Sequence, residues 1–293
     1  MSKNVIKITN LSKFYGKHKG IEGVSFTVEE GDVYGFIGPN GAGKTTTIRT
    51  LLSLIHPTSG SATIFGMDCI KESDKISKEV GYLPSEIFYY ENMKVKELLK
   101  YSADLYQKNC DNRILELSEK LKLDVNRKIT DLSFGNKKKV GIVSALLHSP
   151  KLLILDEPTS GLDPLMQQKF FEILEEENQK GTTILFSSHV LSEVQKICNK
   201  VAILKGGHVI DIQSISDIRK YGYKKIELTS KKSIPEGYFK IESIADYQQT
   251  GNNASFIFRG DVAEIIGMMH KLDVSDVFIE EPSLEEIFLH YYQ

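Results

Sequence analysis

The stretch VYGFIGPNGAGKTTTIRTLLSLI, residues 33–55, decides the fold of this chain. It begins as a short apolar run, passes through several glycines and continues with a helical pattern. In its middle, Gly38, four further residues and Gly43-Lys44-Thr45 match the phosphate-binding loop that joins a strand to a helix. At this glycine content a chance match somewhere in the chain is on the order of one per cent. The stretch therefore predicts a site for a nucleoside triphosphate.

The chemistry of this loop depends on its backbone and on two side chains. Glycines let backbone N–H groups turn inward on the phosphates at the N-terminus of a helix. Lys44 is placed to reach the β- and γ-phosphates, and the Thr45 hydroxyl is available to Mg²⁺. The loop residues predicted to bind the nucleotide are Gly38, Pro39, Asn40, Gly41, Ala42, Gly43, Lys44, Thr45 and Thr46.

A second chemical site is predicted where the apolar run of KLLILDEP, residues 151–158, ends in two acids. Asp156 is suited to hold Mg²⁺, usually through water, and Glu157 can orient or deprotonate the water that attacks in an in-line phosphoryl transfer. Alone, an Asp-Glu pair at the end of a strand is more often a solvated turn. Its occurrence together with a phosphate-binding loop favours the catalytic interpretation.

Short β-rich runs alternate with helical patterns over the first two-thirds of the chain, which is typical of an α/β fold. The apolar runs 152–155 and 183–186 are continuous rather than alternating, as expected for central parallel strands that are covered on both faces. Asp163-Pro164 resembles an N-cap followed by a proline in the first turn, so a helix is predicted to begin there.

The pattern changes after about residue 212, where short strand-like runs, a turn-rich segment and one helical segment follow one another. We therefore expect two domains, residues 1–212 and a small α+β domain over residues 213–293. Near the end, Ser283 and Glu286 have the spacing of a capping box ahead of an apolar face, which predicts a terminal helix.

Composition limits the classes of partner. Lys and Arg number 37 against 39 Asp and Glu, so the net charge of -2 gives no general attraction to nucleic acid, and none is expected as a partner. The cysteines Cys69, Cys110 and Cys198 lie far apart, which argues against a disulfide framework or zinc site and fits a reducing, cytoplasmic setting. The sequence shows no apolar run of about 20 residues, so any membrane role is expected to depend on a partner.

These motifs resemble those of the ATP-binding-cassette (ABC) ATPases over roughly residues 3–212. The resemblance implies a P-loop NTPase cassette with a mainly parallel central sheet, an antiparallel β portion and a helical subdomain at about residues 86–148. It also implies that Tyr15, in KFYG, stacks on the adenine of ATP. An isolated tyrosine more often serves only in packing.

The segment LSFGN, residues 132–136, resembles the signature sequence of this family. The resemblance implies that the signature residues Ser133, Phe134, Gly135 and Asn136 belong to the ATP site of an opposite subunit, so the chain is expected to form a homodimer or heterodimer. Phe134 and Asn136 replace the commoner Gly and Gln, whereas the serine and the second glycine are kept. In SGLDP, residues 160–164, Asp163 is expected to communicate across that dimer, in addition to any role as a helix cap.

Two further positions follow from the resemblance. His189, after TTILFSS, occupies the place of the family's switch histidine, which contacts the γ-phosphate and steadies the attacking water. In GYLPSE, residues 81–86, Ser85 stands where most members have a glutamine that coordinates magnesium. Ser85 is a weaker oxygen donor than an amide, so water or Glu86 is an alternative ligand. ATP hydrolysis is still expected, at a reduced rate.

Two surfaces are candidates for contacts with partners. Phe88, Tyr89 and Tyr90 would suit the groove that, in the family, receives a helix of the membrane subunit, or they pack inside the helical subdomain. The lysines at 137–139 are expected to be the solvated start of the signature helix rather than a nucleic-acid footprint.

The whole chain is thus identified as similar to the ATP-hydrolysing subunit of an ABC transporter, with ATP and Mg²⁺ as ligands. Its C-terminal extension resembles that of bacterial exporters whose transmembrane permease is a separate polypeptide, which places the chain at the cytoplasmic face of the membrane. That extension would help dimerisation or regulation, or would be a structural cap. The alternatives are a soluble ABC-type ATPase acting on ribosomes or nucleic acid, and a regulatory cassette that hydrolyses ATP weakly.

Overall fold

The computed structural model describes residues 3–90, 92–216, 223–235, 237–241 and 243–281. The chain divides into two compact units, Met1–Ile212 and Gln213–Gln293, which we call unit 1 and unit 2. Within the described residues, no helix combines the length and apolar character needed to cross a bilayer.

A six-stranded sheet forms the centre of unit 1. Its strands are β3 (Val33–Ile37), β6 (Val80–Leu83), β7 (Leu152–Asp156), β8 (Thr183–Ser188), β9 (Lys200–Lys205) and β10 (His208–Ser214). They lie in the order β10-β9-β3-β8-β7-β6, and β3 pairs in parallel with both β8 and β9. Every residue of β3, β7 and β8 is buried, which for β7 and β8 confirms the prediction of central strands covered on both faces.

A smaller, antiparallel sheet completes the β structure of unit 1. It consists of β1 (Asn4–Tyr15), β2 (His18–Glu29), β4 (Ser59–Ile64) and β5 (Met67–Asp68), in the order β2-β1-β4-β5. Apolar residues from β1 and β2, such as Ile6 and Val24, share one core with Phe36 of β3 and Ile154 of β7. This shared core fixes the antiparallel sheet against the parallel one.

Helices cover the central sheet. They are α1 (Lys44–Leu51), α2 (Ser73–Ser77), α3 (Val95–Leu105), α4 (Asp111–Lys120), α5 (Phe134–Leu146), α6 (Pro164–Gln179) and α7 (Leu191–Ile197), with a 3-10 turn at Ile129–Asp131. Helix α6 begins as predicted, because the Asp163 carboxylate accepts a hydrogen bond from the backbone N–H of Met166 at 3.0 Å.

The prediction that all three lysines of 137–139 are solvated is wrong for Lys138, whose exposed fraction is 1%. Lys138 lies on the inward face of α5, one turn before Gly141 and Ile142, which are also buried. Helical periodicity therefore turns the middle lysine of the run toward the core, while Lys137 and Lys139 stay partly exposed.

Unit 2 is an antiparallel sheet with one described helix. The strands β11 (Tyr223–Ser230), β12 (Ile244–Thr250), β13 (Asn253–Arg259) and β14 (Val274–Glu280) lie in the order β12-β13-β11-β14, and α8 spans Val262–Lys271. Its core includes Ile226, Phe239, Phe256 and Ile265. Strand β12 was not predicted, because apolar and polar residues hardly alternate in its sequence IADYQQT. The helix predicted from Ser283 and Glu286 lies outside the described residues.

Candidate functional site

The phosphate-binding loop leaves the carboxyl end of β3 and turns directly into α1. Gly41 and Gly43 have φ values of 80° and 106°, which are left-handed conformations that favour glycine. A Cβ atom on Gly43 would also lie only 2.5 Å from Ile21 Cγ2 and 2.9 Å from the carbonyl oxygen of Gly20. Close approach to the antiparallel sheet therefore requires glycine at position 43.

Lys44 lies across the mouth of this loop with an exposed fraction of only 6%. Its ammonium group donates hydrogen bonds to the carbonyls of Gly38, at 2.6 Å, and Pro39, at 3.3 Å. The same nitrogen lies 3.3 Å from Glu157 Oε1, so it forms an ion pair with the acid at the end of β7. A buried cation is thus held at the first turn of α1, where an anionic group is favoured.

Asp156 ends β7 as a fully buried carboxylate that is held by two hydroxyl groups. Thr45 donates to Asp156 Oδ2 at 2.8 Å, and Ser187 donates to Oδ1 at 3.1 Å. The structure thus brings together Thr45 and Asp156, the two main candidates for binding magnesium. Ser187 was not singled out from the sequence, because its place beside Asp156 depends on the parallel register of β7 and β8.

Glu157 and His189 follow neighbouring parallel strands and meet beyond their carboxyl ends. His189 Nδ1 lies 2.7 Å from Glu157 Oε2, while the other carboxylate oxygen faces Lys44. Glu157 has φ of 50°, a left-handed conformation that is uncommon outside glycine. Its backbone N–H donates to the carbonyl of Ser187 at 3.1 Å, which holds the acid in this turn. The three residues predicted to be catalytic therefore form one continuous row.

An open cleft of about 410 Å³ lies beside Lys44 and Glu157 and reaches Tyr15. Tyr15 is half exposed at the end of β1, and the Lys13 ammonium group lies 5.3 Å from the centroid of its ring. Gly20 makes room for the ring, because a Cβ atom there would lie 2.9 Å from Tyr15 Cε2. Lys19 and Gly20 lie in no recognisable motif, so they were not predicted from the sequence. The cleft is lined by Tyr15, Lys19, Gly20, Asn40, Gly41, Ala42, Gly43, Lys44, Thr45, Thr46, Ser85 and Glu157.

The donor atoms at the cleft fit a magnesium ion that arrives with a nucleotide. Ser85 and Thr45 line the cleft and Glu86 is exposed. The Asp156 carboxylate is buried directly behind Thr45, 2.8 Å from its hydroxyl group, so the three residues together supply hard oxygen donors at one place. In the part of the chain that the structure describes, no group of three or more His, Cys, Asp or Glu residues could hold a metal ion by itself. Mg²⁺ characteristically takes one or two carboxylates and completes its shell with water and phosphate oxygens.

The signature residues lie at the N-terminus of α5 and are not among the residues that line this cleft, all of which lie in described parts of the chain. Ser133 is the N-cap, and its hydroxyl oxygen accepts from the backbone N–H of Asn136 at 3.4 Å. Gly135 lies so close to Gly161 that a Cβ atom on it would be 2.6 Å from the Gly161 carbonyl oxygen. Phe134 is exposed, and its ring lies against the Cβ position of Gly161. The signature is therefore packed against the loop that leads to Asp163.

The aromatic residues at 88–90 divide into two groups. Phe88 and Tyr90 have exposed fractions of 90% and 64%, and the Tyr90 ring meets that of Tyr101 edge to face. Tyr89 is partly buried, and its hydroxyl group donates to the carbonyl of Lys137 at 3.2 Å. Two of the three aromatics are thus available to a partner, and the third packs within unit 1.

Comparison with known proteins gives a consistent result. A family model described as "ABC transporter" matches residues 21–160. The bacitracin transport ATP-binding protein BcrA of Bacillus licheniformis is 34% identical over 298 residues, which cover 97% of this chain and 96% of that protein. The linearmycin resistance ATP-binding protein LnrL of Bacillus subtilis is 30% identical over 306 residues, which cover 98% of this chain and 97% of that protein. A solved structure described as the ATP-binding subunit of an ABC transporter has a TM-score of 0.70 and 32% identity, and the match covers 74% of this chain and 92% of that one.

Proposed function

The chain belongs to the family of ABC transporter ATP-binding proteins, and from that premise we propose that it hydrolyses ATP to drive a separate transmembrane permease. The observation that carries the proposal is the row formed by Lys44, Glu157 and His189 at the mouth of the phosphate-binding loop. Such a row places a cation for phosphate beside an acid and its orienting histidine, which is what phosphoryl transfer to water requires.

The loop residues bind the triphosphate, and Lys44 exchanges its present partners for phosphate oxygens. At present the ammonium group is held by two carbonyls and by Glu157. A bound triphosphate carries several negative charges, so it attracts Lys44 more strongly than the neutral carbonyls or the single charge of the Glu157 carboxylate. Glu157 is then released from its ion pair and becomes available to the attacking water. Tyr15 stacks on the adenine at the other end of the cleft.

Glu157 acts as the base or orienting group for water, and His189 holds its carboxylate in place. The contact of 2.7 Å between His189 Nδ1 and Glu157 Oε2 fixes one carboxylate oxygen. The other oxygen, Oε1, can accept a proton from water once Lys44 has left it for the phosphate. Thr45, Asp156 and Ser85 would hold Mg²⁺, which neutralises phosphate charge when it is bound. Ser187 serves by keeping the Asp156 carboxylate in position.

Two cassettes would close around two ATP molecules. Ser133 and the backbone of Gly135 lie at a helix N-terminus and do not line their own cleft, so they suit the γ-phosphate bound by a second cassette. Asp163 caps α6 within its own chain and lies on the loop that packs against Phe134. It would therefore couple closure of one ATP site to the other subunit of the dimer. Reopening after hydrolysis returns the permease to its first conformation.

The permease would dock on the exposed aromatics Phe88 and Tyr90, at the cytoplasmic face of the membrane. The relatives named for bacitracin transport and linearmycin resistance support an export function.

Unit 2 is proposed to be an accessory domain for dimerisation or regulation. Purification from native membranes in mild detergent tests whether the chain associates with a permease. Recovery of ribosomes or DNA instead of a polytopic membrane protein would contradict that association.

ATP turnover by two variants tests the catalytic assignment. Glu157→Gln keeps the shape of the side chain but removes the base, so we expect nucleotide binding with turnover reduced by about 100-fold or more and with ATP-bound dimers accumulating. Lys44→Ala should instead weaken ATP binding itself. Glu119→Gln, at an exposed position of α4, is the matched control and should behave as the wild type. Wild-type turnover in Glu157→Gln would refute the role of Glu157.

A further inference from the structure

The segment 84–90, which we call the linking segment, connects two functional places. At its start Ser85 lines the nucleotide cleft, and at its end Phe88 and Tyr90 are exposed on the surface that we assign to the permease. A displacement at one end can reach the other only if the segment is held firmly in between. The inner face of α5 supplies the contacts that hold it.

Gly141 of α5 brings the helix and the linking segment unusually close together. A Cβ atom at position 141 would lie 2.7 Å from the Cδ1 atoms of Leu83 and Ile87 and 2.8 Å from the Tyr89 hydroxyl oxygen. A larger residue would therefore push the segment away. The hydrogen bond from Tyr89 to the carbonyl of Lys137 adds a polar contact at the same helical turn.

Lys138 supplies the contact at the beginning of the segment. Its buried ammonium group donates to the carbonyls of Pro84 and Ser85, each at 3.3 Å. Burial lowers the pKa of this lysine to about 8, and the negative charges of Asp156 and Glu157 act in the opposite direction. The ammonium group thus joins the signature helix to the backbone of Ser85 within the field of the two acids.

Burying the charged ammonium group of a lysine costs desolvation free energy, which its hydrogen bonds to two carbonyl groups must offset. An apolar side chain of similar volume is often neutral or stabilising at such a position, so stability alone does not account for the charge. Three donor hydrogens on a flexible stem can, however, fix two adjacent carbonyls at once. This arrangement holds the backbone of Ser85 in a defined place without occupying the cleft.

We propose that Lys138 is a positioning residue for ATP hydrolysis, which clamps the linking segment to α5 so that Ser85 stays at the cleft and moves together with the signature helix. This inference rests on the proposed function, because it assigns Lys138 a role in the same reaction. Lys138 does not touch the nucleotide in this scheme. It acts through Pro84 and Ser85.

Steady-state ATPase kinetics of the full-length protein test the proposal. Lys138→Met retains the volume and removes every donor, so we expect kcat to fall about tenfold or more, with the KM for ATP changed by less than about threefold. Lys138→Gln keeps a donor that reaches one carbonyl and should recover part of kcat. Lys137→Met, at the partly exposed neighbouring lysine, is the matched control and should retain wild-type kinetics.

Hydrogen exchange provides a readout that does not depend on activity. In Lys138→Met, peptides that cover residues 84–90 should exchange about tenfold faster than in the wild type, whereas peptides from β7 should be unchanged. Unchanged kcat and unchanged exchange in a folded Lys138→Met would overturn the inference. Should Lys138→Met fail to fold, wild-type kcat and exchange in Lys138→Gln and in Lys138→Ala would overturn it. A wild-type protein without ATPase activity would contradict the proposed function, and the exchange comparison would still decide whether the clamp exists.

Discussion

His148 is a buried histidine at the end of α5, and its ring stacks on that of Tyr106 with centroids 3.7 Å apart. Burial, assisted by the positive charge of Lys108, lowers the pKa of His148 to about 4. In an unfolded chain the pKa of histidine is about 6.5. At neutral pH the imidazole is thus uncharged in both states, and the two states differ in protonation only under acidic conditions.

This difference in pKa predicts that His148 by itself lowers the free energy of unfolding in acid. As pH falls below about 6.5 the unfolded chain binds a proton first, so unfolding becomes easier until the pH approaches the folded pKa. Between pH 7.5 and 5.0 the expected loss from this group is about 1–2 kcal/mol. Urea unfolding at both pH values measures it.

The comparison of two variants isolates the contribution of His148. His148→Phe keeps an aromatic ring against Tyr106 and cannot be protonated, so its stability should fall less between the two pH values than that of the wild type. His270→Gln, at an exposed position of α8, should show the wild-type loss. Equal pH dependence in His148→Phe and the wild type would mean that other groups account for the whole effect.

At the scale of single elements, the signature residue Phe134 packs against the loop that precedes Asp163, so a larger residue at position 161 is destabilising. Gly161 has φ of 80°, and a Cβ atom there would lie 2.2 Å from Cδ1 of Phe134. Gly181, directly after α6, also has positive φ, at 101°, but nothing lies within 4 Å of its Cβ position. An alanine at position 181 therefore introduces backbone strain alone, whereas an alanine at position 161 introduces backbone strain and a steric clash.

We expect Gly161→Ala to destabilise unit 1 by more than Gly181→Ala, which carries only the backbone term of about 1 kcal/mol. The Phe134 ring must also move, so Gly161→Ala should lower ATPase activity while Gly181→Ala should not. Combining Gly161→Ala with Phe134→Gly should recover part of the stability. Thermal unfolding and ATPase rates check both points, and equal effects of the two alanine substitutions would contradict the packing argument.

The elements that sequence patterns predicted are those whose determinants are local. The phosphate-binding loop, the buried runs of β7 and β8 and the Asp163 cap each depend on residues within a few positions of one another. Ser187 and Gly20 were missed because their importance arises from strand register and from contact between two sheets. Lys138 was predicted to be exposed to solvent, because a run of lysines usually is. Its burial follows from its position on the inward face of α5.

At the scale of the whole molecule, each unit has its own hydrophobic core. In unit 1 the core joins the two sheets and α1. In unit 2 the residues Ile226, Phe256 and Phe258 pack with Ile265 of α8 and with Phe239. Units with separate cores can unfold separately, because the loss of packing in one removes none of the core contacts within the other.

A core substitution in unit 2 of the full-length chain tests this independence. Phe256→Ala removes a fully buried ring whose centroid lies 4.7 Å from that of the tilted Phe239 ring, so unit 2 should lose about 3–5 kcal/mol of stability. Phe278→Ala, at an exposed position of β14, is the control and should leave the stability of unit 2 nearly unchanged. ATP binding to unit 1 should be the same in both variants, because the cleft is built only from residues between Tyr15 and Glu157. Calorimetry should then show one transition shifted down and one unmoved, whereas a single transition that shifts as a whole would mean that the two units fold as one.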